Sequence, residues 1–188
     1  MDARLQESRD LPLAVDLDGT LIATDLLWET IFLALKTNPL IVFLLPIWAL
    51  AGKARLKLEL ARRVTLDASR LPYRQDFLDY LRAERASGRT IVLATAAAEP
   101  LAQAVAAHLG IFSKVFATRD GINLASKAKA SALVDEYGEY GFDYAGNDRA
   151  DLAIFDRARN AVVVAPDRAA SRFQQAHDTM RFDAPRTH

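Results

Sequence analysis

Short apolar runs alternate with helical patterns along this sequence, and this alternation constrains the fold more than any other feature. The runs occupy residues 11–15, 90–95, 114–118 and 160–165, with a weaker one at 142–146. Continuous apolar runs of this length are typical of strands buried on both faces. The helical patterns between them end at Gly88, Gly110 and Gly138, as helices often do. The sequence therefore predicts an α/β fold, a Rossmann-like parallel sheet with helices on both faces.

Composition narrows the possible function classes. The chain has 188 residues, of which 51% are hydrophobic, enough for one domain with a proper core. The 24 basic and 24 acidic residues cancel, so we expect no nucleic-acid partner. The absence of cysteine excludes disulfides, thiolate catalysis and cysteine-ligated zinc.

One interval breaks the alternation. From Leu21 to about Ser69 the sequence has helical patterns and no convincing strand. We expect a small helical cap inserted after the first strand, spanning residues 23–69. The catalytic core would then comprise residues 1–22 and 70–188.

The sequence "DLDG" places two carboxylates at the end of the first predicted strand. Asp16 and Asp18 are two positions apart, so on an extended chain they point to the same side and repel unless a cation or a proton lies between them. Mg²⁺ prefers hard oxygen ligands, often one or two carboxylates with water and phosphate oxygens, and the flexible Gly19 suits such a half-site. The alternative interpretation is a strand followed by an Asp-Gly turn.

Two further segments carry groups suited to holding a phosphoryl group. Thr95 ends the second predicted strand, where its hydroxyl and the N–H of Ala96 could bind a phosphoryl oxygen. Lys127 and Lys129 begin a predicted helix, where a lysine can neutralise developing charge. A threonine at a strand end and a solvated helix face are the structural alternatives.

A second group of oxygen ligands follows the strand predicted at 142–146. Asn147, Asp148 and Asp151 lie where this strand runs into a helix, although N-capping by Asp148 is an alternative role. In open parallel sheets ligands bind beyond the carboxyl ends of the strands. We therefore expect a Mg²⁺ site formed by Asp16, Asp18, Asn147, Asp148 and Asp151.

In their order, "DLDGTL", "LATA", a lysine and "GNDRAD" resemble the four motifs of the haloacid dehalogenase superfamily of phosphatases. The resemblance runs from about residue 11 to 165. It implies a Rossmann-like fold with a cap, Mg²⁺ as cofactor and a phosphorylated small molecule or lipid phosphate as substrate.

The resemblance also implies roles for individual residues. Asp16 would be the nucleophile that forms an aspartyl-phosphate, and Asp18 the general acid and base. Thr95 would hold the phosphoryl group, and Lys129 would orient the nucleophile. We prefer Lys129 to Lys127 because "KASAL" fits the pattern of a lysine followed, after three residues, by leucine.

Two details of the motifs bear on the reaction. Asp18 favours phosphate chemistry, because an alkoxide leaving group needs a proton whereas a halide does not. The fourth motif departs from the family pattern, since Asn147 stands where an aspartate is usual. We expect a Mg²⁺-dependent phosphomonoester hydrolase. The alternatives are a catalytically weak binding or membrane-association module and a phosphotransferase.

The predicted cap is more apolar than a small polar substrate requires. Residues 40–50 are apolar but contain Pro46, and 11 residues fall short of the roughly 20 that span a bilayer. A basic stretch follows: Lys53, Arg55, Lys57, Arg62 and Arg63. This combination suits a membrane interface reached through residues 40–57, and a cap packed on itself and on the core is the alternative.

The cap and the following segment also resemble the phosphatase-like domains fused to membrane prenyltransferases of the UbiA type. This resemblance implies a lipid-linked or prenyl phosphate as substrate and a functional link to a membrane prenyltransferase. The polar N-terminus, "MDARLQESRD", lacks the pattern of a secretory signal. We expect a cytoplasmic protein with peripheral contact at the inner face of the membrane. For the tail, residues 172–188, we expect fading helical character.

Overall fold

The computed structural model describes residues 11–119, 122–177 and 179–183. The predictions for the N-terminal decapeptide and for the last five residues lie outside this part of the chain. The strands are β1 (Leu13–Val15), β2 (Ile91–Ala98), β3 (Lys114–Thr118), β4 (Asp143–Gly146), β5 (Ala161–Val164) and β6 (Met180–Phe182). The strand expected at each of the five apolar runs is present.

The described strands form one parallel sheet in the order β3-β2-β1-β4-β5-β6. The chain builds outward from β1 in one direction, then returns to the other side of β1 with β4. Val15 pairs with Leu93 on one side and with Ala145 on the other, so the carboxyl ends of β1 and β4 lie side by side. In doubly wound sheets this switch point is where ligands bind.

Helices cover both faces of the sheet, as the alternation predicts. They are α1 (Leu26–Thr37), α2 (Leu45–Leu50), α3 (Lys53–Ala61), α4 (Gln75–Ala86), α5 (Glu99–Leu109), α6 (Lys127–Tyr137), α7 (Leu152–Phe155) and α8 (Arg168–Ala176). Leu13 and Val15 face a core shared with α4 and α5, whereas Ala14 faces a second core shared with α6 and α7. This alternation along β1 buries both faces of the central strand.

Helices α1 to α3 follow β1 directly and form the helical cap. Their own small core consists of Ala34, Ile41, Trp48 and Leu60. Asp25 is the N-cap residue of helix α1, and its carboxylate accepts a hydrogen bond of 2.7 Å from the N–H of Leu27. Among the described residues, the helices are too short or too polar to cross a bilayer.

Two boundaries differ from the sequence predictions. Strand β2 does not end at Thr95 but continues to Ala98, because Ala98 still pairs with Thr118 of β3. The tail is not only helical, since residues 180–182 form the edge strand β6. Its Phe182 ring lies 5.1 Å from the rings of Phe77 and Tyr80, and this packing stabilises a segment too short to be recognised from its sequence.

Candidate active site

The carboxylate of Asp16 lies just beyond β1, at the switch point of the sheet. Its backbone N–H donates to the carbonyl of Ala145 at 2.9 Å, which continues the ladder between β1 and β4 by one residue. Its Oδ1 accepts a hydrogen bond from Nζ of Lys129 at 2.6 Å, and both side chains are buried. The alternative lysine, Lys127, is exposed. The geometry thus brings Lys129, and not Lys127, to the first aspartate.

A tyrosine connects this pair to the loop after β4. The hydroxyl of Tyr144 accepts from Nζ of Lys129 at 2.9 Å and donates to Oδ1 of Asp151 at 2.7 Å. The other oxygen of Asp151 accepts from the N–H groups of Asn147 and Asp148 at 2.9 and 3.2 Å. Asp151 is therefore held by the protein on both oxygens and also lies 3.7 Å from Lys129.

Asp18 is bound to the start of the cap. Its Oδ1 accepts a hydrogen bond of 2.8 Å from the N–H of Leu26, the first residue of α1. This hydrogen bond therefore connects the end of β1 to the first turn of α1 in the cap.

The side chain of Asn147 packs against the turn that follows β1, at Gly19 and Thr20. Its Oδ1 accepts from Oγ1 of Thr20 at 3.2 Å, and the same hydroxyl lies 3.3 Å from Oδ2 of Asp16. Gly19 has φ +76°, and a Cβ at this position would overlap the amide of Asn147. The side chain of Asn147 thus supports the turn after β1. Asp148 lines the cavity and also has the N-capping role, because its Oδ1 accepts from the N–H of Ala150 at 2.7 Å.

Thr95 is fully buried within β2. Its hydroxyl oxygen accepts from the N–H of Ala97 at 2.9 Å, which leaves its own proton available for donation. The neighbouring Ala96 lines the cavity with its backbone. That Thr95 and Ala96 hold a phosphoryl group stays a prediction.

A cavity of about 510 Å³ lies next to these groups, between the sheet and the cap; Ala96 lines it, whereas Thr95 and Asn147 are not among its lining residues. Its floor carries ionisable side chains, namely Asp16, Asp18, Lys129, Asp148 and Asp151. Its walls are largely apolar and include Leu26, Leu27, Leu56, Ala98 and Leu101. From the cap, Lys53 and Lys57 also line it.

The carboxyl groups of the floor lack sufficient counter-charge. Burial raises the pKa of Asp16 to about 7, with Asp151 and Asp18 adding to the effect against the opposing charge of Lys129. Burial likewise raises the pKa of Asp18 to about 6, against the hydrogen bond from Leu26. Burial alone would lower the pKa of Lys129, but the charges of Asp16 and Asp151 raise it above its ordinary value.

The donor set suits a hard divalent cation. Within the described ranges, no three acidic, histidine or cysteine side chains are grouped as a complete metal site. Magnesium sites, however, often use one or two carboxylates and complete the shell with water and substrate oxygens. Asp16 and Asp18 both line the cavity and supply two carboxylates. The residues present therefore fit a hard divalent cation.

Three residues of the candidate site were not identified from the sequence. Thr20 follows "DLDG" directly, and its place in the first motif was a usable signal. Tyr144 lies in strand β4, two residues before Gly146, and because tyrosine is common in strands its position carried no distinctive signal. The contact of Lys57 with the core depends on how the cap folds back, and the sequence carries no signal for it.

Comparisons with known proteins agree with this architecture. The family model of the haloacid dehalogenase-like hydrolases matches residues 13–156. A curated relative, the uncharacterized protein y4nM of Sinorhizobium fredii (strain NBRC 101917 / NGR234), is 40% identical over 157 residues. The match covers 83% of this chain but 30% of that protein, so the chain spans about a third of the relative's length.

Similar folds occur among solved structures. An apo phosphoserine phosphatase has a TM-score of 0.63 at 13% identity, with 93% of this chain and 94% of that chain covered. A cobalt-bound deoxy-D-mannose-octulosonate 8-phosphate phosphatase from Haemophilus influenzae has a TM-score of 0.55 at 15% identity, with 93% and 80% covered. At this level of identity the likeness concerns the fold.

Proposed function

Because this chain belongs to the family of haloacid dehalogenase-like hydrolases, we propose that it is a divalent-cation-dependent phosphomonoester hydrolase working through an aspartyl-phosphate on Asp16. The expectation of a hydrolase is confirmed at the level of the family. The observation that carries the proposal is the buried carboxylate of Asp16, held at 2.6 Å by Lys129 on the floor of a cavity at the switch point.

The proposed reaction has two displacements at phosphorus. In the first, a carboxylate oxygen of Asp16 bonds to phosphorus as the ester P–O bond breaks, and Asp18 gives its proton to the leaving alkoxide. In the second, Asp18 takes a proton from water while the water oxygen attacks phosphorus, which releases phosphate and regenerates Asp16. Lys129 offsets the negative charge of the transferred group throughout.

The carboxyl groups have protonation behaviour suited to these roles. A pKa of about 6 leaves a useful fraction of Asp18 protonated near neutral pH, so it can act as an acid and then as a base. Its Oδ1 is occupied by Leu26, which leaves Oδ2 to carry the proton. A bound cation would favour the ionised form of Asp16 that the attack requires.

We infer that Mg²⁺ is held by Asp16 and Asp148, and by Asp18 when its carboxyl group is ionised, with waters completing the shell. When bound, it supplies positive charge to the phosphoryl oxygens. Asp151 and Asn147 belong to the predicted ligand set, but the existing hydrogen bonds of Asp151 and the packing of Asn147 favour supporting roles for them.

The test is release of phosphate from p-nitrophenyl phosphate and from an alkyl phosphate, each with Mg²⁺ and with EDTA. We expect Mg²⁺-dependent turnover that Asp16→Asn abolishes. Asp18→Asn should slow formation of the aspartyl-phosphate from the alkyl phosphate by at least about 100-fold, and from the nitrophenyl ester less, because nitrophenolate leaves without a proton. Turnover that survives Asp16→Asn would overturn the proposal, and added alcohol acceptors would reveal phosphoryl transfer by forming new esters.

For the substrate class we propose an amphiphilic phosphate monoester, such as a lipid-linked or prenyl phosphate. The leucine and alanine walls of the cavity suit a hydrocarbon chain next to the charged floor. A series of alkyl phosphates of increasing chain length tests this proposal. We expect KM to fall with each added methylene until the cavity is filled, and a flat series would contradict it.

The outer surface of the cap favours contact with an anionic membrane. We call the following exposed side chains the apolar cap surface: Trp28, Phe32, Leu40, Val42, Phe43, Leu44, Ile47 and Leu50. The chain has no charged residue from Thr37 to Gly52, and cations flank this stretch at Lys36, Lys53 and Arg55. Apolar side chains among the acyl chains, with cations at the headgroups, are typical of interfacial binding.

Sedimentation with vesicles tests this contact. We expect binding to vesicles that contain anionic lipid, weaker binding to neutral vesicles, and loss of binding in Ile47→Ser. Ile122→Ser is the matched control, because both isoleucines are 59% exposed but Ile122 lies outside the cap. Equal binding by the two variants would exclude the apolar cap surface as the contact. A functional link to a membrane prenyltransferase remains a proposal that follows from the same lipid substrate.

A further inference from the structure

Lys57 reaches from the cap to the catalytic core. It lies near the middle of α3, and its Nζ donates to the carbonyl of Ala96 at 2.6 Å and to Oδ1 of Asn123 at 3.1 Å. Ala96 follows Thr95 on β2, and the cavity that contains Asp16 is lined by both Lys57 and Ala96. A cap cation is thus placed at the edge of the reaction cavity.

Both acceptors of this ammonium group are neutral oxygens. Within the described part of the chain, Lys57 forms no ion pair, and Asp18 and Asp25 act on it only through space. Burial lowers the pKa of Lys57, against the influence of these two carboxylates. A partly buried cation without a bound counter-ion is costly, and an entering anion would relieve that cost.

The core does not depend on Lys57 to satisfy its buried oxygen. The carbonyl of Ala96 also accepts a hydrogen bond from Oγ1 of Thr118 at 2.8 Å. Departure of the ammonium group would therefore leave that carbonyl paired. This arrangement suits a cation that can move to a ligand better than one required to stabilise the fold.

We propose that Lys57 is a substrate-binding residue supplied by the cap. When the phosphate ester binds, the ammonium group of Lys57 breaks its hydrogen bonds to Ala96 and Asn123 and pairs with an anionic oxygen of the ester. The inference rests on the proposed function only in that the cavity takes an anionic phosphate compound. A lysine that bridges cap and ligand also holds the cap over the reacting group, so substrate binding and cap closure reinforce each other.

Calorimetric binding of inorganic phosphate and of pyrophosphate to the full chain, with Mg²⁺ present, tests this role without requiring turnover. We expect Lys57→Met to weaken binding by about tenfold or more, Lys57→Arg to retain most of the affinity, and thermal stability to change little. Lys36→Met is the matched control, because it removes the same charge from the cap while Lys36 is exposed and does not belong to the residues that line the cavity. It should bind within about twofold of the unsubstituted protein.

The two ligands distinguish two sources of the anionic oxygen. Weaker binding of both ligands by Lys57→Met identifies the reacting phosphoryl group as its partner, and weaker binding of pyrophosphate alone identifies a second anionic group. Unchanged affinity for both ligands overturns the inference. Parallel assays of aryl phosphate hydrolysis keep the proposed function separate: an active chain with unaltered binding in Lys57→Met contradicts only the role of Lys57, whereas absent hydrolysis contradicts the proposed function.

Discussion

The ammonium nitrogen of Lys129 lies 2.6 Å from Oδ1 of Asp16, although the two residues are 113 positions apart in the chain. Helix α6 brings Lys129 to the end of β1, where the lysine is buried together with Asp16 and Asp151. A single cation thus faces two carboxylates in a site largely closed to water. Charge balance at this point should control activity, stability and metal binding together.

Lys129→Met should abolish most activity and destabilise the protein. Removing one partner of a buried pair leaves an uncompensated charge, so we expect a loss of about 3 kcal/mol in the free energy of unfolding. Turnover should fall by at least about 100-fold. Lys127→Met, two positions earlier and exposed, should leave both quantities near their original values. Urea denaturation and phosphate-release assays measure the two effects, and equal behaviour of the variants would contradict this role.

Tyr144→Phe should show how far the bridge between Lys129 and Asp151 matters. The substitution removes one hydroxyl that accepts from Lys129 and donates to Asp151. We expect a loss of about 1–2 kcal/mol in the free energy of unfolding, because Asp151 loses a buried donor. Turnover should fall more than the affinity for substrate, since the bridge positions Lys129 without touching the ester. A change confined to KM would argue against this explanation.

Gly19→Ala should be more harmful than the same change at another left-handed glycine. Gly19 has φ +76° and its added Cβ would overlap Asn147, whereas Gly110 has φ +65° and no atom within 4 Å of the added Cβ. Both variants carry a backbone cost of about 1 kcal/mol. Only Gly19→Ala should also disturb the turn between Asp16 and Thr20 and reduce turnover. Equal losses of stability in the two variants, with activity retained, would show that the approach of Asn147 is unimportant.

The stability of the metal-free protein should fall as the pH rises from about 4 to about 7. Burial raises the pKa of Asp16 to about 7 and that of Asp18 to about 6, from an ordinary value of 3.8. In this window the folded protein binds more protons than the unfolded chain, so its free energy of unfolding decreases with pH. Mg²⁺ favours the carboxylate forms and should reverse much of the loss. Thermal unfolding across this range, in EDTA and in Mg²⁺, measures the effect.

The raised pKa of Asp16 also predicts a shift in the pH dependence of activity. Because the cation stabilises ionised Asp16, the acidic limb of the profile should move to lower pH as Mg²⁺ increases.

The double variant Asp16→Asn, Asp18→Asn is the control for the effect of pH on stability, and it should lose the pH-dependent fall in the free energy of unfolding. A fall that persists in this variant would mean that other groups are responsible for it.

Asn147→Asp should strengthen metal binding and weaken the metal-free protein. The substitution adds a carboxylate next to Thr20, whose hydroxyl already lies 3.3 Å from Oδ2 of Asp16. The Mg²⁺ concentration for half-maximal activity should fall several-fold, and the melting temperature in EDTA should fall as well. Asn38→Asp serves as the control, because it makes the same change at an exposed position, the N-cap of the short 3-10 helix Pro39–Phe43 that follows α1. Unaltered Mg²⁺ dependence in Asn147→Asp would place position 147 outside the influence of the metal.

Much of the sheet was predictable because its strands are buried on both faces. Every residue of β1, within the run at 11–15, is apolar, and so is every residue of β5, within the run at 160–165. The edge strand β6 was not predictable, because Met180 and Arg181 are exposed and its pairing with β5 depends on neighbours far away in the chain. Thr95 was placed at a strand end because sequence alone does not reveal that Ala98 pairs with Thr118.

Local sequence was enough to place two pairs of acidic residues, Asp16 and Asp18 after β1 and Asp148 and Asp151 after β4. It did so because local spacing and strand direction place carboxylates at the same edge of a parallel sheet. The contact of Lys129 with Asp16, for which the "KASAL" pattern had favoured Lys129 over Lys127, and the contact of Lys57 with Ala96 became visible only in the folded protein. Both contacts join residues far apart in the chain, so they form only when the helices pack against the sheet.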